Sequence, residues 1–145
     1  MKKAVLTVVM VAASMFAKAQ TIQVDQQTTI WEANYSFIEL RDDRQADKPW
    51  AFYLPFQNAE YQYTTDIGSI IFRDVDALKL FVSTCEQMLN HESKNLKVDG
   101  NGYQLNRYDF RPSFIYVTET SSGRSKYFVV NKRVIREIQS AIANL

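Results

Sequence analysis

The sequence predicts an α+β fold: an antiparallel sheet of about seven strands, in the order ββββαβββα, with two amphipathic helices packed on one face. Two segments repeat apolar residues at helical spacing, while the rest is rich in Thr, Tyr, Phe, Val and Ile that alternate over short runs. Those runs follow one another with short connections, which favours antiparallel pairing over crossovers. The competing arrangement is a small curved barrel closed by the C-terminal helix.

The chain opens on a leader. Lys2 and Lys3 precede an apolar run from Ala4 to Phe16 and then Ala17-Lys18-Ala19, the order of a cleaved secretory signal peptide over residues 1–19. The run is shorter than the roughly 20 residues a membrane-spanning helix needs, and no second long apolar run follows. The expected product is a single α+β domain over residues 20–145, exported to the periplasm or the exterior, with no transmembrane segment. Three lysines leave with the leader and no acid does, so the formal +1 of the full chain becomes a slight acidic excess. Near-neutrality and export together argue against a nucleic-acid partner.

Strands are expected near residues 21–26, 34–40, 50–56 and 60–72. Between the second and third, Arg41-Asp42-Asp43-Arg44-Gln45-Ala46-Asp47-Lys48 alternates charges with almost no apolar anchor and reads as a solvated, mobile loop ended by Pro49. The first helix follows. Val75, Leu78, Phe81, Val82, Cys85, Met88 and Leu89 fall within an arc of about 140°, with Asp74 as N-cap, and the apolar repeat is lost after Asn90. Asp99-Gly100-Asn101-Gly102 carries the strongest short turn signals and leads into a strand over 102–110. A hairpin pairs 113–118 with 126–130 through Ser121-Ser122-Gly123. The closing helix places Val134, Ile135, Ile138, Ala141, Ile142 and Leu145 within about 120°, capped by Asn131.

Catalytic chemistry finds little purchase. The single Cys85 lies in the middle of the first helix's apolar stripe and six residues from the single His91, which is 120° around a helix and about 9 Å along it. One His excludes an ordinary zinc site, and neither Asp42, Asp43 and Asp47 nor the Asp99 segment has the spacing of a calcium loop. Glycine-rich phosphate loops, dinucleotide fingerprints and nucleophile elbows are missing from a chain with 4 Gly. No cofactor, metal or catalytic residue is therefore expected.

Two surface features point to binding. Residues 107–145 carry seven bases and three acids, whereas residues 20–106 carry an acidic excess. Lys132 and Arg133 fall in the first turn of a helix, where the dipole disfavours cations, so with Arg124 and Lys126 they form the expected surface for an anionic ligand or partner. Trp31, Tyr53, Tyr61 and Tyr63 are the aromatics expected on an open sheet face. The reading that follows is a secreted, non-enzymatic binding or interaction module whose partner is a protein, an envelope component or an acidic glycan. The alternatives are a small cell-envelope enzyme using a carboxylate pair and a chaperone-like subunit hiding its open face in a homo-oligomer.

Mass spectrometry of the exported protein should find a first residue at or near Gln20. An intact leader over 1–19 would contradict the leader reading.

Overall fold

The computed structural model describes residues 28–33, 38–44, 51–60 and 66–145. The leader and the expected strand at 21–26 lie outside them. The described elements are β1 (Thr28–Glu32), β2 (Glu39–Asp42), β3 (Phe52–Gln57), β4 (Ile67–Phe72), α1 (Val75–Asn90), β5 (Leu96–Asp99), β6 (Tyr103–Arg107), β7 (Phe114–Glu119), β8 (Tyr127–Asn131) and α2 (Lys132–Ile142).

The fold is α+β, but the eight strands form two four-stranded antiparallel sheets, β1-β2-β3-β4 and β5-β6-β7-β8. The expectation of one sheet of about seven strands is corrected in both respects, and neither sheet closes into a barrel. Two strands were not expected: β1, which falls between the runs at 21–26 and 34–40, and β5. β5 is short. Its four residues offer two apolar positions, Leu96 and Val98, too few for an alternation to stand out. It pairs with β6 through the Asp99–Gly102 segment, where Gly102 takes φ +85°, a conformation suited to glycine. The sheet divides because each strand pairs only with its chain neighbour and α1 carries the chain away between β4 and β5.

Each half is thus a four-stranded meander followed by a helix, and the two helices start alike. Asp74 Oδ1 accepts the Ala77 N–H at 2.8 Å, and Asn131 Oδ1 accepts the Val134 N–H at 3.0 Å. Each cap satisfies a donor that the first turn leaves without a helical partner. The predicted stripes face inward: Leu78, Phe81, Val82, Cys85 and Met88 from α1, Ile135, Ile138 and Ile142 from α2. The helices run side by side, with Gln139 of α2 donating to Glu86 of α1. Alternate strand residues complete a single continuous core, including Phe52, Leu54 and Phe56 of β3, Ile115 and Val117 of β7, and Phe128 and Val130 of β8. Among the described residues no helix is long and apolar enough to cross a membrane.

The charged stretch after residue 40 is corrected in part. Arg41 and Asp42 belong to β2, and Asp43 is buried, with its N–H donating to the Ala51 carbonyl at 2.8 Å. Arg41 pairs with Glu39 at 2.8 Å and Arg44 with Asp42 at 2.7 Å, so both arginines meet a carboxylate two residues away. These bonds hold the Glu39 and Asp42 carboxyls below the usual carboxylate range. Arg107, which sequence places among surface cations, is buried instead. Its Nη1 donates to the carbonyls of Met88, His91 and Ser93, and its Nε to that of Pro112, so a positive charge closes the negative C-terminus of α1.

A polar seam joins the two sheets. The Ala59 N–H donates to the Tyr127 carbonyl at 2.8 Å, and the buried Asn58 accepts the Tyr127 N–H through Oδ1 at 3.2 Å. Asn58 Nδ2 donates to Asp66, which also pairs with Lys126 at 2.9 Å. Lys126 donates further to the Ile67 carbonyl, and the buried Glu119 accepts the Ser69 N–H. Beneath these bonds Phe56 and Phe128 pack with ring centroids 4.6 Å apart. Gly68 lies against this contact: a Cβ there would stand 2.5 Å from the Phe56 ring and 2.8 Å from Glu119.

Two outcomes are expected. Asn58→Ala should lower the unfolding free energy by about 1–3 kcal/mol, read from urea midpoints, because it leaves the Tyr127 N–H without its acceptor. The Lys126 ammonium and then the Asn58 amide hold the Asp66 carboxyl below the usual carboxylate range. Its contribution is therefore fully present above the unfolded value of about 4 and drains as the pH falls through the depressed folded value. Asp66→Asn should flatten that part of the acid-unfolding profile.

Candidate functional site

α2 divides its surface by helical geometry. With Ile135, Ile138 and Ile142 facing the core, Lys132, Arg133, Arg136, Glu137 and Ser140 fall on the opposite side, within an arc of about 140°. The edge strand β1 supplies the missing wall. Trp31 pairs in register with the buried Leu40, so it stands on the sheet face that meets α2 rather than on the outer one. Its indole N–H donates to Glu137 Oε2 at 3.2 Å, and Glu137 Oε1 accepts Arg133 Nε at 3.0 Å. One carboxylate thus orients both the aromatic ring and a guanidinium.

The result is an open cleft of about 650 Å³ between β1 and α2, lined by Trp31 and Glu32 on one side and by Lys132, Arg133, Arg136, Glu137 and Ser140 on the other. Lys132 and Arg136 form a ridge, since both also line a 260 Å³ groove between the two helices. The first turn of α2 contains no acid. Cations at a helix N-terminus lose roughly 0.3–1 kcal/mol each to the dipole, and like charges at i, i+4 lose a few tenths more. The arrangement is electrostatically suited to an anionic group resting over the ridge, beside an aromatic face on which a ligand ring can stack.

Of the four expected basic residues, the structure brings together only two. β8 separates Lys126 from Lys132 by six residues of extended chain, about 20 Å, so Arg124 and Lys126 lie at the far end of the sheet. Lys126 is spent on Asp66 and the Ile67 carbonyl, within the seam. The expected single cluster is therefore corrected to a Lys132–Arg133 half and an Arg124–Lys126 half. Among the expected aromatics, Trp31 joins the first half, while Tyr53 stands half-buried on the outer face of the first sheet between Arg41 and Ile71. Tyr61 and Tyr63 lie outside the described residues.

Arg136 and Glu137 complete the cleft without having been singled out by sequence. Arg136 was legible, because it lies one helical turn after Lys132. Trp31 is 106 residues from Glu137, and no local signal links them.

Neither Cys85 nor His91 lines the cleft. Cys85 is fully buried in the core, where desolvation pushes its thiol up to about 12, and His91 lies at the C-cap of α1, its Nδ1 accepting the Ser93 N–H. Cys85 should accordingly resist thiol reagents under native conditions and react only on unfolding. Rapid labelling of the folded protein would contradict its placement. No protein-family model, curated protein or solved structure matches this chain.

Proposed function

We propose that the protein is an exported, non-enzymatic binding module whose cleft between β1 and α2 takes an acidic glycan. The observation that carries this reading is the convergence of one oriented indole with Lys132, Arg133 and Arg136 on a helix whose first turn lacks any acid. A uronic acid matches that set, because its pyranose ring presents an apolar face to Trp31 and its carboxylate meets the cationic ridge. The carboxyls with displaced titration, Glu39, Asp42 and Asp66, are all moved down by Arg41, Arg44 and Lys126 respectively, which suits ion pairing rather than proton donation.

Polygalacturonate is the probe, with binding followed by calorimetry. Exposed charges are screened over about 8–10 Å at physiological salt, so only the cluster acts usefully and affinity should fall steeply as NaCl is raised. Lys132→Glu with Arg136→Glu should abolish capture while the melting curve stays within a few degrees of the native one, since neither side chain enters the core. Trp31→Ala should weaken binding about tenfold, corresponding to roughly 1.4 kcal/mol of lost stacking. Unchanged affinity in the double variant would overturn the reading.

A further inference from the structure

The outer face of the second sheet carries an aromatic row that the core does not require. Phe110, in the connection after β6, is 71% exposed and stacks on Tyr108 with centroids 5.2 Å apart and planes 18° apart. Tyr108 meets Tyr116 of β7 edge to face at 5.2 Å, and Tyr116 meets Tyr127 of β8 at 5.9 Å. Arg111 fixes the row: its guanidinium lies 4.6 Å over the Phe114 ring and donates to the Tyr116 hydroxyl at 3.1 Å. These rings are prepositioned, so little side-chain entropy remains to be lost on binding.

Beside the row runs a second one made of amides. Asn106 is directly opposite Tyr116 in the β6–β7 register, and Gln104 is opposite Thr118. Asn106 Nδ2 donates to Gln104 Oε1 at 3.0 Å, and Gln104 Nε2 donates to Asp99 Oδ1 at 2.9 Å. This chain fixes both amides and leaves each a further N–H, with the Asn106 carbonyl still able to accept. Asn106 therefore stands about 5 Å from Tyr116 across the β6–β7 pair, with Gln104 next to it on the same face.

We infer that this face is a second binding site, independent of the cleft at α2, for an uncharged, β-linked N-acetylhexosamine chain. Equatorially substituted pyranose rings present flat C–H faces that stack on tyrosine and phenylalanine. An acetamido group offers one N–H and one carbonyl, the complement of a primary amide, and its methyl adds apolar contact. The flanking charges, Lys97, Asp99 and Arg111, are mixed in sign and provide no cationic track for a nucleic acid backbone.

The test is calorimetry of the full chain with chitohexaose, with maltohexaose as the control that lacks acetamido groups. Chitohexaose should bind and maltohexaose should not, with an affinity that barely changes between ~50 mM and ~500 mM NaCl, unlike polygalacturonate at the cleft. Phe110→Ala and Asn106→Ala should each weaken chitohexaose about tenfold with an unaltered melting curve, and Lys132→Glu with Arg136→Glu should leave it unchanged. Absence of chitohexaose binding at millimolar concentration, equal binding of maltohexaose, or unchanged affinity in both single variants would overturn the inference. So would concentration-dependent dimerisation that Phe110→Ala abolishes without any sugar bound, because the face would then serve a second copy of the chain.

Discussion

The fold depends on how its two meanders are joined, and the joint is made by the backbone of Tyr127. At the start of β8 its carbonyl accepts the Ala59 N–H while its N–H donates to the Asn58 side chain, so the turn after β3 is tied to β8 although no strand ladder runs between the sheets. An asparagine serves here where a plain strand would not, because one amide side chain accepts from Tyr127 and donates to Asp66. Asp66 in turn holds Lys126, and Lys126 reaches the Ile67 carbonyl. With the polar groups matched above, Phe56 and Phe128 close the apolar layer below. The meeting of the two halves brings α2 against β1, and without that contact Trp31 would have no Glu137 and the cleft no aromatic wall.

What was legible in the sequence follows from the range of the interactions involved. Both helices could be placed, because the apolar period and the caps Asp74 and Asn131 lie within a few residues of one another. The hairpin of β7 and β8 was legible for the same reason, whereas β5 carries too few residues to show a pattern. The way the two sheets are joined was hidden, since it turns on Asn58, Asp66 and Lys126, which come from distant positions and are individually ordinary polar residues. Arg107 shows the opposite error. Its charge suggests a surface, but four carbonyl acceptors from α1 and the following turns make burial of a guanidinium tolerable.

The candidate site was half legible on the same grounds. Lys132 and Arg133 stood out because cations are misplaced at the start of a helix, which is local chemistry. Their separation from Arg124 and Lys126 also follows from local chemistry, once β8 is recognised as an extended strand too long for the two pairs to meet. The role of Trp31 did not follow, because its neighbours depend on the packing of the first strand against the last helix. Tertiary contacts likewise decided which aromatics face outward: Tyr116 and Tyr127 take the open side of the second sheet only because Ile115, Val117, Phe128 and Val130 are needed inside.

The recurrence of four strands and a helix in each half supplies a comparison that bears on whether the cationic ridge serves the fold. Aligning the two helices on their caps places Lys132, Arg133, Arg136, Glu137 and Ser140 opposite Val75, Asp76, Lys79, Leu80 and Ser83. The two helices share a starting geometry and an inward stripe, so their outer positions face similar demands from packing. α1 meets those demands with an acid in its first turn, the sign that the helix dipole favours. α2 uses cations at both corresponding positions and carries a third one turn later. The fold is therefore compatible with the more stable charge pattern and in its second half does without it. A ridge that opposes its own dipole, beside an indole oriented by a carboxylate, is not explained by what it contributes to folding, and that is the physical ground on which the proposed binding role rests.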